Sequence, residues 1–390
     1  MKQSNKGNDH MDNVIELTRK LVQIPSFPSQ ENKVSSYIQN IMQDFSFDEV
    51  YTDQNGSVVG VMGPKDQEIE ILFDGHMDVV PVIGEWKFDP FGGEIFNGRL
   101  YGRGTTDMKG GLASAICAIS HVAQHHTLKK RVAISASVLE EVIEGFALGH
   151  ILDIHQPKSV VICEPSKLKL KSAQKGRAEI LLTLHGKPAH AANPEVGINP
   201  LLIASKALLA LENIQLPKDD VLGAAILVPT DIISDPYPSI SMIPNAVTIR
   251  FDRRILVNET QEIVIEQIKN CLHQADISDF SIQFTQDAID TFTGQKVSPE
   301  RWLPAWKTKE DSQILEAALQ ALQEIGLDTE IGAWPFCTNG SESAGKRQIP
   351  TIGLGPGAEE DAHTIDESIE LSQLTAATEI YAKIIKEICT

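Results

Sequence analysis

Cysteine is scarce in this 390-residue chain: Cys117, Cys163, Cys271, Cys337 and Cys389 are odd in number, widely scattered and never spaced as Cys-x-x-Cys. That argues against a disulfide framework and a thiolate zinc site, and the expected location is the reducing cytoplasm. No apolar run approaches the roughly 20 residues that span a bilayer, and the polar stretch Met1 to His10 lacks the apolar centre of an export signal. Basic residues are also short: 34 Lys and Arg against 53 Asp and Glu give a net charge of −19. Such a field repels nucleic-acid phosphates and anionic membrane surfaces, so neither partner is expected. Internal repeats, low-complexity tracts and a Gly-x-x-x-x-Gly-Lys-Ser/Thr loop are missing, and Gly102-Arg103-Gly104 does not follow dinucleotide-fingerprint spacing. Nucleotide binding is not indicated.

What is present is a globular composition long enough for two or three domains. Apolar spacing predicts a helix over 12–23, stopped by Ile24-Pro25-Ser26, and strands over 58–62, 69–73, 132–138 and 160–163, with a helix over 111–123. Strands alternating with helices indicate an α/β domain with a parallel sheet. From Gln174 the pattern changes to strands over 178–184, 246–251 and 280–284 and helices over 200–212 and 259–273, a compact α+β insertion. A helix over 311–325 and a strand over 351–354 then resume the first pattern. The expected organisation is a discontinuous domain of 1–175 and 290–390 around an inserted domain of 176–289.

Several of these strands end in a potential metal ligand. Asp74-Gly-His76-Met-Asp78 follows one, Glu140-Glu141 another, Glu164 a third, and His363 lies beyond the late strand and its glycine-rich loop. Asp107 sits in the loop 101–111 before a helix. Ligand sites of open α/β sheets form at the carboxyl ends of the strands, so these residues can share one crevice. His76, His363, Asp107, Glu141 and Glu164 are donors for zinc, cobalt or manganese. Two divalent cations balance three carboxylates and a hydroxide, and five side chains serve two ions only if one bridges, for which Asp107 is the natural choice. Asp78, two residues after His76, is placed to accept the second ring N–H. Of adjacent Glu140 and Glu141, one should bind metal and the other take a proton from water. Singly, each feature has a bland reading: His-x-Asp is common and acidic pairs are usually solvated. Their shared strand-end placement separates them from His121, His125, His126, His150, His155 and His273, which read as surface residues.

These motifs, with Gly102-Arg-Gly-Thr-Thr-Asp107-Met-Lys-Gly-Gly111, Cys163-Glu164-Pro165 and Ala362-His363, resemble the M20 metallopeptidase family of acetylornithine deacetylase, succinyl-diaminopimelate desuccinylase, aminoacylase and glutamate carboxypeptidase. Within it the chain most resembles a bacterial branch of hydrolases linked by name to selenium metabolism, a label that identifies no substrate. The resemblance implies a zinc-peptidase-like α/β catalytic domain with a mixed, mainly parallel sheet, interrupted by an α+β lid that makes a homodimer. It also implies that His76 and Glu164 hold one ion, Glu141 and His363 the other, that Asp107 bridges, that Glu140 is the general base, and that the Asp107–Met108 peptide is cis. His190 is implied to reach the oxyanion of the partner protomer's site, and Arg254 to clamp a substrate carboxylate. Two departures concern the substrate: Ser241 stands where relatives often carry Asn, and the substrate loop reads Asn339-Gly-Ser341-Glu-Ser343. The expected activity is two-metal hydrolysis of an amide bond in an N-acyl amino acid or small peptide bearing a carboxylate, Ser341 lying among the substrate-binding residues. Hydrolysis of a small phosphate ester, or a silent metal-binding assembly protein, are the alternatives.

Overall fold

The computed structural model describes residues 13–390, so the Met1 to His10 stretch read above for an export signal lies outside the described residues. Two sheets organise the chain. The larger has nine strands, and at its centre Ile69–His76 lies between Arg131–Ser137 and Ser159–Ile162, parallel to both. Thr351–Gly353 runs parallel to Ser159–Ile162 on the far side. Val58–Met62 and Glu49–Thr52 extend the other edge antiparallel, which makes the sheet mixed.

The central strands are Val- and Ile-rich and buried along nearly their whole length, as expected where helices cover both faces. Helices Val14–Val22, Asn32–Asp44, Gly110–His125, Gln313–Glu324 and Leu371–Cys389 pack through one core. Phe146–Ile154 packs on the opposite face through Leu148, Ile151 and Leu152. The result is a three-layer α/β/α domain.

The second sheet is antiparallel, in the order Ile226–Asp235, Ala246–Ile255, Gly176–His185, Phe280–Phe284. Strict alternation buries Ala178, Ile180, Leu182 and Leu184 of the third strand beneath helices Pro200–Glu212 and Gln261–Gln274. Trp302–Leu303, past the expected boundary at residue 290, pairs with this strand too. Among the described residues, no helix is long and apolar enough to cross a membrane.

Candidate metal centre

The parallel strands all point their carboxyl ends one way, and their last residues and following loops converge. His76 closes its strand opposite Ser137, three residues before Glu140. Glu164 stands two residues past Ile162, and His363 hangs in the loop after Gly353. Asp107 joins them from the turn Thr105–Lys109. Its two carboxylate oxygens face different imidazoles: Oδ1 lies 2.9 Å from His76 Nε2 and Oδ2 lies 3.1 Å from His363 Nε2. His76 Nε2 is also 3.5 Å from Glu164 Oε1 and 3.9 Å from Glu140 Oε2. His363 Nε2 is 3.0 Å from Glu141 Oε2. The donor atoms of His76, Glu140 and Glu164 fall within 4.8 Å of one another, as do those of His76, Asp107 and Glu141.

Buried acceptors fix this arrangement from below. Glu367, fully buried, accepts the backbone N–H of Gly104, Thr106 and Asp107 at 2.9–3.1 Å and binds Arg103 at 2.6 Å, so the Asp107 turn is clamped by a residue four positions after His363. The Asp107–Met108 peptide is cis. Lys109 donates to the carbonyls of Leu21 and Ile24 at the end of the first helix. Asp74 accepts from Ser135, Ser137 and Asn339.

Asp78 differs from expectation. The second ring nitrogen of His76 is 2.9 Å from the Asp78 backbone carbonyl and 3.6 Å from its carboxylate. The carboxylate turns instead to the backbone N–H groups of Glu140 and Glu141, at 3.1 and 3.0 Å, because those two donors lie buried at the start of a loop and need an acceptor. Asp78 therefore orients the ring through its main chain and the two glutamates through its side chain.

Burial pushes the Glu140 and Glu164 carboxyls well above the usual range, and burial with the Asp107 charge lifts Glu141 to about 7. Burial opposes ionisation of Asp107 as well, but hydrogen bonds from His363 and His76 hold it below the usual range. Burial also disfavours a charged His76, yet Glu164 and Asp107 raise it well above an ordinary imidazole; hydrogen bonds to Asp107 and Glu141 lift His363 to about 10. Imidazolium protons thus stand in for positive charge that the carboxylates lack. Glu141 Oε1, moreover, is buried without a hydrogen-bond partner among the described residues. A set of oxygen and imidazole donors short of cations fits divalent metal ions.

The centre opens into a cavity of about 430 Å³ lined also by Glu144, Arg177, Arg254, Phe336 and Cys337. Arg254 donates Nε and Nη2 to Asp252 at 2.8 and 3.3 Å, and its Nη1 has no hydrogen bond among the described residues. The other two expected contributors are elsewhere. His190 lies on the short strand Ala189–His190, exposed and outside its own chain's cavity, with Nδ1 accepting from Ala192 N–H. Ser341 begins the turn Ser341–Lys346, is fully buried and packs beside Gly145, and Phe336 and Cys337, earlier in the same segment, line the cavity in its place.

The chain matches peptidase family M20/M25/M40 over residues 72–387. It belongs to that family. It is 29% identical over 388 residues to the uncharacterized protein YgeY of Escherichia coli (strain K12), covering 97% of this chain and 95% of that one. It is 25% identical over 405 residues to succinyl-diaminopimelate desuccinylase of Dechloromonas aromatica, covering 97% and 99%. Among solved structures, aminopeptidase PepT from Bacillus cereus superposes with a TM-score of 0.75 at 22% identity, covering 97% and 98%. In this M20 chain Glu367, which clamps the Asp107 turn, and Glu144 and Arg177, which line the cavity, escaped the sequence reading. Only Glu367 carried a signal, its place four residues beyond His363; the other two are ordinary charged residues whose partners are distant in the chain.

Proposed function

We propose that this M20 hydrolase cleaves the amide bond of an N-acyl amino acid or small peptide that bears a carboxylate, using two divalent ions, zinc foremost, with cobalt or manganese able to serve. His76 and Glu164 would hold one ion, Glu141 and His363 the other, with Asp107 shared. The observation that carries the two-ion reading is the Asp107 carboxylate, one oxygen toward each imidazole. Bound there, the ions supply positive charge that polarises the scissile carbonyl and acidifies the attacking water.

Glu140 takes the proton from that water and returns it to the leaving amine. Its buried setting supports the role, since burial raises its affinity for a proton toward that of a useful base. Arg254 binds the substrate carboxylate through the donor that Asp252 leaves free. His190 of one protomer would serve the oxyanion of the other in a homodimer built through the lid, a role supported by its exposure. The cysteine pattern supports a cytoplasmic location. Neither alternative, phosphate-ester hydrolysis or a silent assembly protein, is favoured by the family match.

The test is a screen of N-acyl amino acids and dipeptides with zinc, cobalt or manganese, comparing wild type with Glu140→Gln. The variant should keep its metal content and fold while turnover falls by about 10²- to 10⁴-fold. Near-normal turnover would remove Glu140 from the mechanism.

A further inference from the structure

The loop that carries Glu140 and Glu141 is held from several sides. Within the catalytic domain, Leu139 N–H donates to Glu31, Glu140 and Glu141 N–H donate to Asp78, and Gly145 N–H donates to Asn339. Two further anchors come from the lid side. Arg301, which flanks the strand Trp302–Leu303, donates to the Val142 carbonyl, and Arg177, on Gly176–His185, takes both oxygens of Glu144 at 3.0 and 3.2 Å. Arg301 is buried and the Arg177 side chain is 25% exposed, its Nη1 alone spanning both Glu144 oxygens, so both contacts are partly shielded from water.

Every nitrogen of Arg177 has an acceptor: Nη1 goes to Glu144, Nη2 to Glu179 at 2.8 Å and Nε to Asp252 Oδ2 at 3.0 Å. Asp252 Oδ2 also accepts from Arg254. One carboxylate is therefore shared by the guanidinium with a spare donor and the guanidinium that grips the Glu140 loop. Two like charges on a common acceptor repel each other, and an anion arriving at Arg254 relieves that repulsion. With Arg254 Nε and Nη2 still on Asp252, an anion at Nη1 lowers the positive charge facing Arg177 and steadies the arrangement in which Arg177 faces Glu144.

We propose that Arg177 is a positioning residue that couples capture of the substrate carboxylate at Arg254 to placement of Glu140, through the ion-pair series Arg254–Asp252–Arg177–Glu144. This deepens the amide-hydrolase reading and rests on it. The substrate carboxylate then acts twice, in binding and in assembling the base, so an uncharged analogue loses kcat as well as affinity.

The experiment compares N-acetyl-L-alanine with N-acetyl-L-alaninamide on metal-loaded wild type, Arg177→Met and Glu144→Gln. In wild type, loss of the carboxylate should raise KM and also lower kcat by at least about fivefold. In both variants the kcat values for the two probes should converge within about twofold, while KM still favours the carboxylate through Arg254. Glu144→Gln is close to isosteric and covers the case in which Arg177→Met fails to fold. Amide hydrogen exchange across residues 139–145 gives a readout independent of turnover: adding N-acetyl-L-alanine should slow it in wild type and not in the variants. A wild-type kcat ratio that persists in the variants, or exchange that responds equally in all three proteins, overturns the coupling. Hydrolysis of no acyl substrate by wild type would sink the parent reading instead, and the exchange arm would still decide the coupling.

Discussion

Two adjacent glutamates acquire different surroundings because Asp78 holds both of their backbone N–H groups and lets their side chains diverge, Glu140 toward His76 and Glu141 toward His363. Ligand types at strand ends were legible in the sequence because few other placements explain a His-x-Asp, a Glu-Glu and a late His together. Acceptors such as Glu31 were not, since a carboxylate that binds backbone N–H groups leaves no spacing pattern; Glu367 was marked only by its nearness to His363 in the chain. Glu31 permits a test at this scale. It is fully buried, accepts from Leu139 N–H through one oxygen and leaves the other without a partner among the described residues, and burial together with the Asp78 charge pushes it up to about 7. Its folded value lies above its unfolded one, so between about 4.5 and 7 the folded state holds a proton that the unfolded chain has released. Stability from this group is therefore present below that window and lost as pH rises through it, a swing of about 3 kcal/mol. Glu31→Gln should lack that swing, so in denaturant titrations the variant gains on wild type from pH 5 to pH 8. A constant difference between the two proteins across that range would show that Glu31 does not titrate there.

At the scale of elements, strands whose apolar pattern has one clear period were readable: the expected 178–184 appears as Gly176–His185, and 280–284 as Phe280–Phe284. Ile226–Asp235 was missed because it contains Pro229 and precedes Pro236, and proline within an apolar run argues against a central strand. The structure accommodates it as an edge strand with an irregularity between Pro229 and Asp231. This edge carries exposed Ile226, Val228, Ile232 and Ile233 and has no partner strand on its outer side among the described residues. A long apolar edge of this kind pairs with another chain unless blocked. If the homodimer forms there, Ile232→Asp should give a folded monomer by sedimentation and circular dichroism, with turnover reduced because His190 no longer meets a second site. A variant that still sediments at twice the chain mass would place the interface on another face.

The whole molecule explains why residues so far apart as His76 and His363 meet. The strands before them, Ile69–His76 and Thr351–Gly353, both lie parallel beside Ser159–Ile162, so all three deliver their ends to one rim. That rule was available from the sequence, but the strand order was not, because periodicity says nothing about which strand neighbours which. Gathering Asp107, Glu140, Glu141 and Glu164 at one place in a chain of net charge −19 has a thermodynamic consequence. Without cations, Glu140 and Glu164 are held toward the protonated form, Glu141 titrates near 7, and both histidines retain protons above their ordinary range. Metal binding must expel these protons, so affinity should rise with pH. Calorimetric titration of the chelator-treated protein with zinc, repeated in buffers of different ionisation heat, should show net proton release at pH 6. That release should fall by about one proton by pH 8, as Glu141 ionises unaided. Because the ions bind the folded chain and not an unfolded one, the same treatment should lower the melting temperature and metal addition restore it. Binding with no proton release at pH 6 would mean that the ion is held elsewhere than at this cluster.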